Sequence, residues 1–165
     1  MLAFSVNAFS QFQFKGIGAG LALGSKAAIS DEGDDKMGFG ININALAQIV
    51  EKIDAEVSLS YYFPSEPVDG IKFQLTTISL NGHYNFIAEK NMTVYGLAGL
   101  NYSIGKVEME LFGTSISDDE SEIGLNLGAG GAFGITDNID LTGQVGYTFG
   151  DADQLFLNVG VMYKF

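Results

Sequence analysis

The last twelve residues, 154–165, constrain the fold more than any other stretch. Leu155, Leu157, Val159, Val161, Tyr163 and Phe165 occupy every second position, and none is charged. Phe156, Asn158, Gly160, Met162 and Lys164 fill the alternate positions. A period of two is the signature of a strand whose two faces meet different surroundings. The length suits the ~9–11 residues with which a tilted strand crosses a bilayer.

The pattern recurs along the chain. Ile17, Ala19, Leu21 and Leu23 alternate with Gly16, Gly18, Gly20 and Ala22. Met37, Phe39, Ile41, Ile43 and Ala45 alternate with Gly38, Gly40, Asn42 and Asn44. Val57, Leu59, Tyr61 and Phe63 oppose Glu56, Ser58, Ser60 and Tyr62. Further strands carry Ile78, Leu80, Tyr84 and Phe86; Val94, Ala98, Leu100 and Tyr102; Ile123, Leu125, Leu127 and Phe133; and Ile139, Leu141, Val145 and Phe149. Their second faces are Gly, Asn, Ser, Thr and Gln rather than Lys and Glu, which suits a tightly filled interior better than a watery surface. Phe39, Phe63 and Phe149 fall at one rim, and Phe86, Phe133, Tyr163 and Phe165 at the other, as aromatic girdles do.

The hydrophobic share is 47% and the charged share 17%, against ~25% charged in soluble domains. No run approaches the ~18 apolar residues of a membrane helix, so the apolarity is spread in alternation. The expectation is an all-β, eight-stranded antiparallel up-and-down transmembrane β-barrel. Arg or Lys at mid-membrane on its outer face would cost ~2–4 kcal/mol, and no proposed outer face carries one between its ends.

Three segments resist this reading. Residues 46–54 read equally as an extended turn or one helical turn. Phe73 and Leu75 have the wrong parity for the strand that follows, so either a bulge separates them or they sit above the membrane. After Lys106 the parity flips: Val107, Met109 and Leu111 alternate with Glu108 and Glu110. That suits a hairpin over residues 106–122 continuing into water, with residues 113–121 as its tip. Its apolar Val107, Met109, Leu111 and Phe112 and its exposed edges offer strand addition to another chain.

The net charge is −12 with eight Lys and Arg, which leaves no basic face for nucleic acid. The acidic residues cluster at Asp31, Glu32, Asp34 and Asp35, and again at Asp118, Asp119, Glu120 and Glu122. These read first as solvated loop tips. Carboxylate clusters are also weak candidates for a divalent cation, but no calcium-loop pattern is present. There is no Cys, which removes disulfide scaffolds and most thiolate metal sites. No cofactor motif is found.

Little catalytic chemistry is available. The single His, His83, shares a strand face with Ser79. At i and i+4 these stand ~13 Å apart, too far for a nucleophile–base pair, although Thr93 or Tyr95 of another strand could serve as partner. The expectation is no enzyme. Glu56 is an inward carboxylate, with Lys15 or Lys72 as its candidate partner. A final hairpin turning near Ala152 pairs residues whose numbers sum to 304. Asp140 then faces Lys164 as an interior ion pair, and Leu141 faces Tyr163.

The segments GLNLGAGGAFGITDNIDL (residues 124–141), YGLAGLNY (95–102) and GVMYKF (160–165) resemble the outer-membrane protein β-barrel domain family, the small OmpA/OmpX-type barrels. The resemblance runs from about Phe12 to the end. It implies both termini in the periplasm, long loops outside, residence in the outer membrane's lipid and insertion by the barrel-assembly machinery. Tyr163 and Phe165 resemble the C-terminal insertion signal. Residues 1–10 resemble the end of a signal peptide, with Ala8 and Ser10 at cleavage positions, leaving 11–165 as one barrel domain. No peptidoglycan-binding domain follows Phe165, so no cell-wall anchor is expected. The expected function is structural or adhesion-like, carried by acidic extracellular loops meeting a protein partner. The alternatives are a narrow channel, a lipid-modifying enzyme and a soluble lipid-binding barrel.

Overall fold

The computed structural model describes residues 12–30, 32, 34–111 and 114–165. The proposed signal remnant at residues 1–10, Asp31 and Phe112 lie outside the described residues. Among the described residues nine strands form: β1 (Gln13–Ile29), β2 (Asp35–Val50), β3 (Ile53–Tyr62), β4 (Ser65–Val68), β5 (Ile71–Glu89), β6 (Met92–Leu111), β7 (Thr114–Gly134), β8 (Ile139–Phe149) and β9 (Gln154–Lys164). Every pairing is antiparallel. β9 pairs with β1, and β3 pairs with β5, closing an eight-stranded barrel from which only the short β4 is excluded. Closure leaves no sheet edge within the membrane, as a bilayer requires.

The alternation sets the two faces. Leu21, Phe39, Val57, Leu80, Leu127 and Val159 are exposed on the outside, while Asn42, Ser58, Ser79, Asn101, Asn126 and Gln144 are buried inside. Aromatic pairs ring both ends. Phe39–Phe63 and Tyr147–Phe149 stand at one. Tyr84–Phe86, Tyr163–Phe165 and Phe14–Phe165 stand at the other. Between Leu155 and Tyr163 the outer face of β9 spans ~20 Å at the usual rise and tilt, close to the ~25 Å apolar band of such barrels.

Glycines bring β1 and β9 together. Gly20 faces Gly160, and a Cβ on Gly160 would lie 2.7 Å from the Gly20 Cα. The two strands pack at a spacing that side chains on that face would not permit.

The two ends differ. The start of β1, the end of β9, the turn at Glu51–Lys52 and the turn at Lys90–Asn91 share one end. At the other end β5, β6 and β7 run to 19, 20 and 21 residues, against 11 each for β8 and β9.

Several expectations are corrected. Residues 46–54 form no helical turn: β2 runs to Val50 and β3 starts at Ile53, with Lys52 at φ 68° in the tight turn. The acidic stretches are only partly loop. Asp35 begins β2, and Asp118, Asp119, Glu120 and Glu122 lie within β7, not at a tip. Phe73 and Leu75 are separated from Thr77 by no bulge, because β5 pairs with β6 without a shift from Ile71 to Asn85. They point inward, and with Ala22, Ala27 and Tyr62 they form an apolar cluster inside one end. The last hairpin pairs Asp140 with Met162 and Leu141 with Val161, two residues from the expected register. The turn is centred on Asp151, one residue before Ala152, with Gly150 at φ 151°.

Candidate functional site

The interior is a hydrogen-bonded polar core. Glu56, 1% exposed, accepts from three amides: Asn44 Nδ2 at 2.9 Å, Asn81 Nδ2 at 3.1 Å and Gln144 Nε2 at 2.7 Å. Those donors come from β2, β5 and β8, so one carboxylate ties together strands from opposite walls. Gln144 Nε2 also donates to Tyr95 Oη at 2.9 Å. A second group lies nearer the extended end. Asn126 Nδ2 donates to Ser79 Oγ and Asn81 Oδ1, Asn101 Nδ2 donates to Ser79 Oγ, and Thr148 Oγ1 donates to Asn126 Oδ1. Burying so many polar groups is tolerable only because they satisfy one another.

This core fills the middle of the lumen. Spaces of only about 10 and 20 Å³ lie among its side chains, roughly one water each. Larger cavities open at the two ends. One of about 210 Å³ lies at the extended end beside Phe73, Leu75, Glu120, Glu122 and Asp153. One of about 250 Å³ lies at the terminus end beside Asp54, His83, Asn85, Tyr95 and Lys15.

Neither lysine proposed for Glu56 reaches it. Lys15 Nζ lies 2.9 Å from Asp54 Oδ2, and Lys72 Nζ pairs with Glu66 at 3.5 Å. Asp54, within the 46–54 connection, is a buried carboxylate on β3. Lys164 Nζ lies 2.6 Å from Asp140 Oδ1. The pair forms diagonally, since Asp140 sits directly across from Met162.

His83 and Ser79 stay apart, as their spacing requires. Ser79 Oγ is taken by Asn101 and Asn126. His83 sits across from Asp54, stacks on Tyr95 with centroids 4.1 Å apart, and has Nε2 3.6 Å from Glu56 Oε1. Tyr95 therefore meets His83 through its ring face.

At the extended end β7 pairs with β6 as far as Thr114, but with β8 only from Leu125. Residues 114–122 thus present one side without a neighbouring strand in the sheet. Ile71, Met109 and Ile116 stand opposite one another across three strands, with Met109 and Ile116 exposed and Val107 half-buried. Leu111 ends β6, opposite Thr114. Asp119 sits across from Lys106. Nearby, Lys26 Nζ lies 2.6 Å from Asp153 Oδ1 and 3.9 Å from Asp35 Oδ2. The hydrogen bond from Lys26, then that from the Tyr147 hydroxyl, holds the Asp153 carboxyl below its usual range. The same bond to Asp153 raises Lys26. Among the described residues no group of three or more His and carboxylate side chains is placed to hold a metal ion, so Glu32, Asp34, Asp35 and Asp118 to Glu120 assemble no such centre.

A family model for the outer membrane protein beta-barrel domain matches residues 1–165. No curated protein matches the chain. Solved structures share the fold. The attachment invasion locus protein Ail of Yersinia pestis is 21% identical with a TM-score of 0.66, over 93% of this chain and 99% of that one. Ail has also been solved with the heparin analogue sucrose octasulfate, at 20% identity and a TM-score of 0.65, over 93% and 99% of the two chains. Neisserial surface protein A is 23% identical with a TM-score of 0.62, over 94% and 98%. OprG of Pseudomonas aeruginosa is 15% identical with a TM-score of 0.65, over 93% and 96%.

Proposed function

The chain belongs to the outer membrane protein beta-barrel domain family, and from that membership we propose that this small bacterial outer-membrane barrel acts at the cell surface through its extended acidic hairpin. In this reading the extended end faces outside and both termini face the periplasm. Tyr163 and Phe165 serve as the insertion signal read by the assembly machinery. The hairpin recruits an extracellular protein by strand addition along β7.

The observation that carries this is the one-sided pairing of β7 over residues 114–122. Unpaired N–H and C=O groups along a strand are a template for another strand. Asp118, Asp119, Glu120 and Glu122 line that edge. Like charges oppose pairing with a second copy and select a partner strand carrying Lys or Arg. The exposed Met109 and Ile116 add apolar area beside it. Ail has been solved with a sulfated heparin analogue. The acidic edge here suits the opposite charge, so a polyanion is not the expected partner.

The filled mid-lumen supports no conduction, and the engagement of Ser79 by two Asn side chains supports no hydrolytic chemistry at His83. Among the described residues the mid-lumen is lined by buried Asn, Ser, Thr and Gln side chains, which suit a lipid chain poorly. In the test, cells displaying the full chain are compared with cells displaying a chain lacking residues 113–121, both verified by gel mobility before and after boiling. Attachment to immobilised extracellular proteins is expected to fall with the deletion and with added salt. Equal attachment by both chains rejects the proposal.

A further inference from the structure

The cavity at the terminus end carries polar atoms that its own walls do not satisfy. Deeper in the lumen, Glu56 is held by three donors, but nearer the mouth, apart from Asp140 Oδ1, which meets Lys164 Nζ at 2.6 Å, three buried atoms have no hydrogen-bond partner: Asp54 Oδ1, Asn85 Oδ1 and His83 Nε2. The residues bearing them are 2%, 5% and 2% exposed, and all three line the cavity of about 250 Å³. An unsatisfied buried polar group is costly, so three around one space point to an occupant.

Their chemistry narrows it. His83 Nε2 has Glu56 Oε1 nearby, at 3.6 Å. The other two, Asp54 Oδ1 and Asn85 Oδ1, are oxygens that only accept from an N–H or O–H. Their orientation is fixed by local bonds. Asn85 Nδ2 donates to Asp54 Oδ2 at 2.9 Å, which turns the amide oxygen away. Lys15 Nζ takes the same Oδ2 at 2.9 Å and leaves Oδ1 free.

Charge points the same way. Four carboxylates, Asp54, Glu56, Glu89 and Asp140, line it against three lysines, Lys15, Lys90 and Lys164; Lys15 pairs with Asp54 and Lys164 with Asp140. The stacked rings of His83 and Tyr95 form a flat wall, and Leu46, Met92 and Met162 line the mouth. The volume is below the ~300–1,000 Å³ of sites for drug-sized ligands, which fits a compound of a few carbons. Leu46, Met92 and Met162 in that lining favour an organic cation over a bare metal ion, which gains nothing from apolar side chains.

We propose that this cavity binds a small organic ammonium ion with a short apolar chain. The ammonium donates to Asp54 Oδ1 and Asn85 Oδ1, and the chain lies along the His83–Tyr95 wall and the methionines. The site stands apart from the hairpin, so its failure leaves that reading untouched.

The experiment uses the full chain, isotope-labelled and refolded in a maltoside detergent, which carries no ammonium of its own. n-Butylammonium, tetramethylammonium and butyrate are titrated at constant ionic strength. The Asn85 side-chain amide and His83 ring signals are followed by NMR. Butylammonium is expected to give saturable shifts in the millimolar range. Tetramethylammonium, which has no N–H donor, and butyrate are expected to bind at least tenfold more weakly. Asp54→Asn, if it retains its heat-dependent gel shift, is expected to lose at least tenfold in affinity. If that variant does not fold, the comparison of the two ammonium ions decides alone. No saturable shift with butylammonium means that water alone occupies the cavity and overturns the proposal. Equal binding of tetramethylammonium, or undiminished binding to folded Asp54→Asn, overturns it as well.

Discussion

Val159→Arg tests the assignment of the outer face where a charge is least tolerable. Val159 lies midway along β9, four residues from Leu155 and four from Tyr163, and is about half exposed. Its neighbours across the strands are Leu21 and Gly143, so no carboxylate stands opposite to meet a guanidinium. In hydrocarbon the substitution costs ~2–4 kcal/mol. At ~1.4 kcal/mol per decade, that lowers the folded-to-unfolded ratio ~30- to 1,000-fold. The assay is urea titration of folding into phosphatidylcholine vesicles. The chain contains no Trp, so the signals are circular dichroism and the mobility shift on boiling. Asp137→Arg, in an exposed turn at the terminus end, is the control and is expected to stay within ~0.5 kcal/mol. If Val159→Arg also costs less than ~0.5 kcal/mol, the face does not lie in hydrocarbon and the reasoning from alternation fails.

Glu56→Ala orphans the Asn44 and Asn81 amides and leaves Gln144 Nε2 with Tyr95 Oη alone, and is expected to cost at least ~2 kcal/mol, about one per orphaned donor. Glu56→Gln, which keeps an acceptor oxygen, should cost less, and equal urea midpoints for the two would contradict the network. Gly160→Ala drives a Cβ into the β1 backbone, whereas Gly143→Ala meets nothing within 4 Å. The first is expected to destabilise by ~1–3 kcal/mol and the second by much less, read by the same titration. At the extended rim, the contribution of Asp153 is present above its unfolded pKa and lost as pH falls through its depressed folded value. That of Lys26 is present below its unfolded pKa and lost as pH rises through its raised one. In an NMR titration the Asp153 midpoint should lie below 3.8 and move upward in Lys26→Gln. An unchanged midpoint would show that Lys26 is not its partner.

The strands and their faces were legible because a bilayer imposes a strict rule on every second residue. Val159, Leu127 and Leu80 announce the outside without reference to any partner strand. What was not legible depends on register. The Lys164–Asp140 proximity survives a two-residue error only because a lysine reaches diagonally. For Glu56 the sequence offers Lys15 or Lys72, whereas its donors are amides from three strands spread through the sequence. Asp54 was hidden by its position next to a turn. The hairpin was misread for a different reason: Asp118 to Glu122 resemble a loop by composition, yet pairing with β6 continues into water, where the bilayer's rule no longer applies.

The chain has no native Cys, so single cysteines report sidedness cleanly, and sidedness is what the surface role requires. Ser117→Cys, on the acidic strand, and Asp137→Cys, in the terminus-end turn, would each be treated with a membrane-impermeant maleimide on intact cells and after rupture. Ser117→Cys is expected to label on intact cells and Asp137→Cys only after rupture. The reverse pattern would place the acidic hairpin in the periplasm and contradict the role proposed for it.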